Sequence, residues 1–179
     1  MMLRMIGQMT MMRTIGKMKN KKIVLFGTDN SGKTTLGKTL AKDLDGTYFF
    51  PLGPAPLQTQ LDFLDENLSK PGVLVFDRFS VIEEEVCGNV FRGKNNFEHV
   101  PHDQYLNSID LFVFCNPGME SILNWGEREQ MSGTKEKIIF LYAGYANWFK
   151  RLKEEGKNVV EYNWRIPEDY MKILEGVSR

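Results

Sequence analysis

The chain has 179 residues and a mass of 20.7 kDa, enough to enclose one hydrophobic core but not two full domains. With 42% hydrophobic and 26% charged residues it has an ordinary globular composition; it lacks an apolar run long enough to span a bilayer, and its two cysteines exclude a disulfide scaffold or a Cys-rich zinc module. The equal totals of 23 bases and 23 acids hide an asymmetry: residues 1–22 carry six bases and no acid, and the remainder has a net charge of −6, which is not the composition of a general nucleic-acid binder.

Residues 1–21 read as a flexible, basic, Met-rich extension. Seven of the ten methionines fall in the first eighteen residues, Gly7 and Gly16 interrupt any helix, and neither the apolar centre of a secretory signal nor the serines of a transit peptide are present. Met18 opens MKNKKIVLFG, which reads as the start of the folded part, so one domain is expected over 22–179. A protein of a reducing, cytoplasmic compartment is expected, the host cytoplasm if the source is viral.

From Lys22 onward, apolar runs of strand length alternate with helical stretches, the pattern of parallel strands joined by helical crossovers. Strands are predicted at 23–26, 47–50, 73–76, 111–115 and 158–162; their near-continuous apolar character suits a sheet covered on both faces. Helices are predicted at 34–43, at 57–68 where Leu57, Leu61, Leu64 and Leu68 recur, and at 135–155. On the last, Ile138, Ile139, Leu141, Tyr142, Tyr145, Trp148, Phe149 and Leu152 form a broad stripe that reads as core. The fold class is therefore α/β, three layers around a central parallel sheet of about five strands.

The strongest functional signal is Gly27-Thr28-Asp29-Asn30-Ser31-Gly32-Lys33-Thr34, a full G-x-x-x-x-G-K-[ST] match between a predicted strand and a predicted helix, with Thr35 following. Glycines permit the tight turn that aims successive N–H groups at phosphate oxygens, and the helix N-terminus adds partial positive charge. Lys33 would bridge the terminal phosphates of ATP, and Thr34 would offer its hydroxyl to Mg2+. Downstream, Val73-Leu74-Val75-Phe76-Asp77-Arg78-Phe79 delivers an acid and a base at a strand's carboxyl end, where ligands bind in α/β sheets. Asp77 would hold Mg2+, directly or through water, or accept the proton of an attacking hydroxyl, and Arg78 would clamp a phosphate. The run Glu83, Glu84, Glu85 reads mainly as a solvated helix face, with at most one or two members able to turn into a cleft. His99 and His102, separated by Pro101, do not form a helical metal pair. Cys87 and Cys115 read as small buried hydrophobes, Cys87 also as a pocket wall.

GTDNSGKTT at 27–35, DRF at 77–79, and Gly88 eleven residues after Asp77 resemble the thymidylate kinases. The resemblance extends to Trp125-Gly126-Glu127-Arg128-Glu129, similar to part of that family's lid. It implies a P-loop nucleoside monophosphate kinase that moves the γ-phosphoryl of ATP, with Mg2+, to a pyrimidine deoxynucleotide such as dTMP or dUMP, with Arg128 as the lid arginine. Dimerisation is common in the family, and the long helix from Lys135 is the candidate face for a homodimer. The acceptor side departs from the pattern. Tyr48-Phe49-Phe50-Pro51-Leu52-Gly53 stands where the family carries a phosphate-binding Arg, and no Arg occurs between Thr34 and Phe76. Arg78 and Arg92 are the candidate replacements. A second expectation follows from a neighbouring viral group of this family, a kinase of the hydroxymethyl group of 5-hydroxymethyluracil in DNA, with the tail, Arg92 and Lys94 tracking the DNA. A regulatory nucleotide-binding NTPase is the third.

Overall fold

The computed structural model describes residues 20–50, 53–124 and 133–179; the extension up to residue 19, Pro51-Leu52 and the segment containing Arg128 lie outside the described residues. Strands β1 (Lys22–Phe26), β2 (Thr47–Phe49), β3 (Leu74–Asp77), β4 (Leu111–Cys115) and β5 (Val159–Tyr162) form one parallel sheet in the order β2-β3-β1-β4-β5. Each expected strand is present, with bounds shifted by no more than a residue or so. The central strands β1, β3 and β4 are the apolar runs of the sequence because both of their faces are covered.

Side-chain alternation sends the two sets of each strand to opposite layers. On one face, Ile23, Leu25, Val75 and Val113 pack with Leu36 and Leu40 of α1 (Lys33–Asp43) and with Ile173 and Val177 of α8 (Pro167–Val177). On the other, Val24, Phe26, Phe76 and Phe112 meet Leu64 of α2 (Leu57–Leu68) and Leu141, Tyr145, Trp148 and Leu152 of α7 (Thr134–Glu154). The expected stripe on the long helix is therefore core, with one correction: Ile139 is 67% exposed, a full turn's fraction away from the buried line of Ile138, Leu141 and Tyr145.

After β3, the short α3 (Ser80–Glu83) runs through a π-helical turn at Glu84–Gly88 into α4 (Asn89–Arg92). Pro101 precedes α5 (His102–Leu106), and the His102 ring sits 2.8 Å from the Phe97 carbonyl. The remaining short helix, α6 (Met119–Leu123), follows β4. β3 and β4 flank β1, so the carboxyl ends of these three strands open on one crevice, at the point where the chain changes sides of the sheet. No helix among the described residues is long and apolar enough to cross a membrane.

Candidate active site

The loop leaving β1 delivers Gly32 at φ +88° directly before α1. A side chain there would be strained, and a Cβ would lie 3.1 Å from Trp164, so the position needs glycine on both counts. No side chain caps α1, leaving its first-turn N–H groups for an anion. Lys33 is 5% exposed and lies across the loop, its Nζ donating to the carbonyls of Gly27 (2.8 Å) and Thr28 (2.6 Å) and to Ser31 Oγ (3.3 Å). Burial holds the Lys33 ammonium below the ordinary lysine pKa, and the nearby Arg78 charge lowers it further. Its hydrogen bonds are all to neutral acceptors, so a polyphosphate would supply the anionic partner it lacks. The Asn30 amide spans from the loop to the carbonyls of Ser121 (2.9 Å) and Asn124 (3.0 Å), tying the phosphate loop to α6.

β3 places Asp77 beside this loop, level with Leu25 of β1. Asp77 is 2% exposed; its Oδ2 accepts from Thr34 Oγ1 and from Tyr48 OH, both at 2.7 Å, while its Oδ1 is buried without a partner. Burial and the bond to Asp77 raise the Tyr48 pKa. A carboxylate with one bare oxygen next to a threonine hydroxyl is a hard-oxygen site of the kind Mg2+ takes, with phosphate oxygens and water completing its shell. The residues present thus fit the ion that the motif implies.

Arg78 has φ +74°, an uncommon conformation for a residue with a Cβ, and its N–H donates to the Leu25 carbonyl at 2.9 Å. Its guanidinium reaches Asp29 of the phosphate loop and, at 2.9 Å, Glu83. Burial would lower its pKa, but the negative charges around it, Glu83 first and also Asp29, outweigh that and hold it above the ordinary arginine value. Arg78 and Asp77, adjacent in sequence, therefore serve different partners, and no ion pair joins them.

Beyond Arg78 lies a cleft walled by Phe49, Phe63, Phe76 and Phe79, with Gln60, Glu83, Glu84, Cys87 and Arg92 as its polar lining. Phe49 stacks on Phe76 at 4.9 Å, and Phe63 meets both edge-on. Expectation is corrected here, because two of the three glutamates are not a solvated face. Glu84 is 6% exposed and takes Gln60 Nε2 at 3.0 Å and Arg92; Glu83 accepts from Tyr145 OH at 2.9 Å on both oxygens. The π turn brings this about by rotating Glu84 inward, and Gly88 lets Arg92 fold back: a Cβ on Gly88 would sit 2.8 Å from Arg92 Nη2 and 2.7 Å from the Lys94 carbonyl. Cys87 is a wall of this cleft, as expected, and burial with the Glu83 charge pushes its thiol up to about 12. Arg92, although exposed, is ion-paired with the buried Glu84. Arg128, expected to close over the site, lies outside the described residues.

On the other side of the phosphate loop, Trp164 and Tyr162 at the end of β5, with Tyr170, Thr35 and Thr39, line a recess that reaches Asn30 and Gly32. Three recesses thus lie in series: this aromatic one, the phosphate recess from Asp29 to Thr35 with Asp77 and Arg78, and the Phe-walled cleft, which shares Phe50 and Arg78 with the phosphate recess. Of the nine expected loop residues, Gly27 to Gly32 form the connection from β1, and Lys33, Thr34 and Thr35 the first turn of α1.

Neither a protein-family model nor a curated protein matches the sequence. Solved structures do. Deoxyadenosine kinase from M. mycoides with bound dATP superposes with a TM-score of 0.61 at 14% identity, covering 88% of this chain and 100% of that one. Thymidylate kinase from Candida albicans gives 0.59 at 16% identity over 88% and 90% of the two chains. The chain has the P-loop NTPase α/β fold. Shikimate kinase from Acinetobacter baumannii in complex with shikimate, with a TM-score of 0.56 at 16% identity over 90% and 95%, widens the set of chains sharing this fold to one whose bound partner is not a nucleotide.

Three site residues, Gln60, Trp164 and Tyr48, had no role among the sequence expectations. Gln60 occupies the Leu57, Leu61, Leu64 line of α2, and a polar residue on an apolar stripe was the available signal. Trp164 stands just past a strand's carboxyl end, also a readable position. Tyr48 reads as an ordinary strand aromatic, and the inward turn of Glu84 depends on a π turn that sequence periodicity does not reveal.

Proposed function

We propose that this protein is an ATP- and Mg2+-dependent phosphotransferase that moves the γ-phosphoryl group to a nucleoside-sized acceptor in the Phe-walled cleft. The observation that carries this is the serial arrangement of the three recesses, with the phosphate loop in the middle. A donor base against Trp164 and Tyr162 would put its triphosphate across the α1 N-terminus, and its terminal phosphate next to Arg78 at the mouth of the cleft. Lys33 would leave its loop carbonyls for phosphate oxygens, a change from neutral to anionic acceptors that favours binding. Mg2+ supplies charge neutralisation when bound, and Thr34 and Asp77 are the residues that would hold it. Arg78, on the boundary of the two recesses, would balance charge on the moving group, and Arg128 would complete the site on closure. Catalysis is then by positioning and electrostatics, with no covalent enzyme intermediate.

The neighbours' substrates support an acceptor of nucleoside size, and the aromatic walls suit the faces of a pyrimidine ring, as the resemblance to thymidylate kinases implies. The test is a screen for ADP formation and phosphorylated product by mass spectrometry, with Mg2+-ATP and a panel of deoxynucleosides and deoxynucleoside monophosphates. Product with one or more of these, dependent on Mg2+, is expected; ATP turnover that no acceptor stimulates would favour a regulatory NTPase.

A further inference from the structure

The acceptor cleft is charge-balanced before any substrate arrives. Its two guanidiniums are both engaged, Arg78 by Asp29 and Glu83, Arg92 by Glu84. The carboxylates are anchored in turn: Glu83 by a bifurcated hydrogen bond from the Tyr145 hydroxyl to its two oxygens, and Glu84 by Gln60. Glu83 and Glu84 keep only 16% and 7% of their side-chain exposure. Turning either arginine toward a phosphate dianion would strand a buried carboxylate and set the dianion against it, both of which are unfavourable in a water-poor site. The segment between Thr34 and Phe76 has no arginine to offer instead. Asp29, Glu83 and Glu84 thus offset Arg78, Arg92 and the neighbouring Lys33, so no cation here is in surplus for a phosphate dianion.

Resting on the phosphotransferase reading above, we propose that the acceptor is an uncharged, hydroxyl-bearing molecule, a nucleoside and not a nucleoside 5′-monophosphate. Its hydroxyl oxygen forms the new bond to the γ-phosphorus as the bond from that phosphorus to the β,γ-bridging oxygen breaks and ADP leaves. The hydroxyl proton passes to Asp29, the carboxylate of the phosphate recess that sits on the Arg78 guanidinium at the mouth of the cleft, and from there to water. A base hydroxymethyl within DNA is also a neutral hydroxyl. However, Arg92, one of the cations expected to track a DNA backbone, is ion-paired with the buried Glu84 at the edge of the cleft, which favours a free acceptor.

The experiment uses the full chain with Mg2+ and γ-labelled ATP, and compares kcat/KM for each of the four common deoxynucleosides with its own 5′-monophosphate, and with duplex DNA containing 5-hydroxymethyluracil. At least one nucleoside should exceed its monophosphate by about a hundredfold or more, the discrimination typical of a buried polar mismatch. In Glu84→Gln, which releases Arg92, inhibition by the monophosphate should tighten by about tenfold relative to the nucleoside. Preference for a monophosphate would overturn the inference and leave the phosphotransferase reading standing. Label on DNA alone would overturn the free acceptor. Label in inorganic phosphate only, whatever is added, would overturn both.

Discussion

Replacing Asp77 with Asn separates the chemical demand on this carboxylate from the structural one. The side chain is buried, accepts two hydrogen bonds at 2.7 Å through Oδ2, and leaves Oδ1 bare. The amide keeps the shape and one oxygen for Thr34 and Tyr48. Hydrogen bonds to a charged group contribute about 1.5–3 kcal/mol each and neutral ones about 1, so the pair weakens by about 1–4 kcal/mol. Against that, a buried charge with a bare oxygen disappears, which relieves a penalty of about the same size, although the new NH2 must lie where no acceptor waits. The net change is expected within about 2 kcal/mol, or about 4–8 °C in thermal midpoint for a chain of this size. Phosphoryl transfer depends on holding Mg2+, and should fall by about a thousandfold or more, with a higher Mg2+ requirement. Calorimetry and initial rates over a Mg2+ titration measure both. Transfer within tenfold of the wild type with an intact fold would refute the metal assignment, and a midpoint loss beyond about 15 °C would mark the carboxylate as structural.

Lys33→Ala should abolish transfer with the fold retained. Because burial depresses the folded Lys33 pKa below 10.5, the unfolded chain holds the extra proton between the two values; the urea stability of the wild type relative to Lys33→Ala should therefore rise with pH in that window, and a constant gap would contradict the burial argument. Trp164→Ala should raise the KM for ATP by about ten- to a hundredfold, the worth of one base–aromatic stack, with kcat little changed and Trp164→Phe restoring most of the loss; an unchanged KM would place the donor base elsewhere. Gly88→Ala forces a Cβ against Arg92 and the Lys94 carbonyl, so it should cost about 1–3 kcal/mol in denaturant unfolding and raise the KM for the acceptor while sparing that for ATP.

On the donor side of the candidate site the phosphate-loop motif was legible in the sequence and the Trp164 recess was not; the cleft beyond Arg78 was legible only in part. Gly27 through Thr35 announce themselves because phosphate binding by backbone N–H groups demands a fixed spacing within one short segment. The strands were legible for a similar reason, since burial on both faces leaves unbroken apolar runs such as Leu111 to Cys115. The acceptor cleft is assembled from β2, α2, and the turn after β3, so its chemistry depends on which side chains meet across the fold. The inward set of Glu83 and Glu84 depended on the π turn and on Tyr145, 62 positions from Glu83. Likewise Arg78 and Arg92 could be named as cations from the sequence, but their occupation by carboxylates could not, and that occupation changes the acceptor they suit.

The fate of the γ-phosphate tests the phosphotransferase reading most directly. With labelled ATP, Mg2+ and a saturating deoxynucleoside, label should appear on the acceptor in stoichiometric balance with ADP, with little free phosphate, and should vanish in Lys33→Ala. ADP formed at the same rate with and without acceptor, with all label in inorganic phosphate, would contradict it.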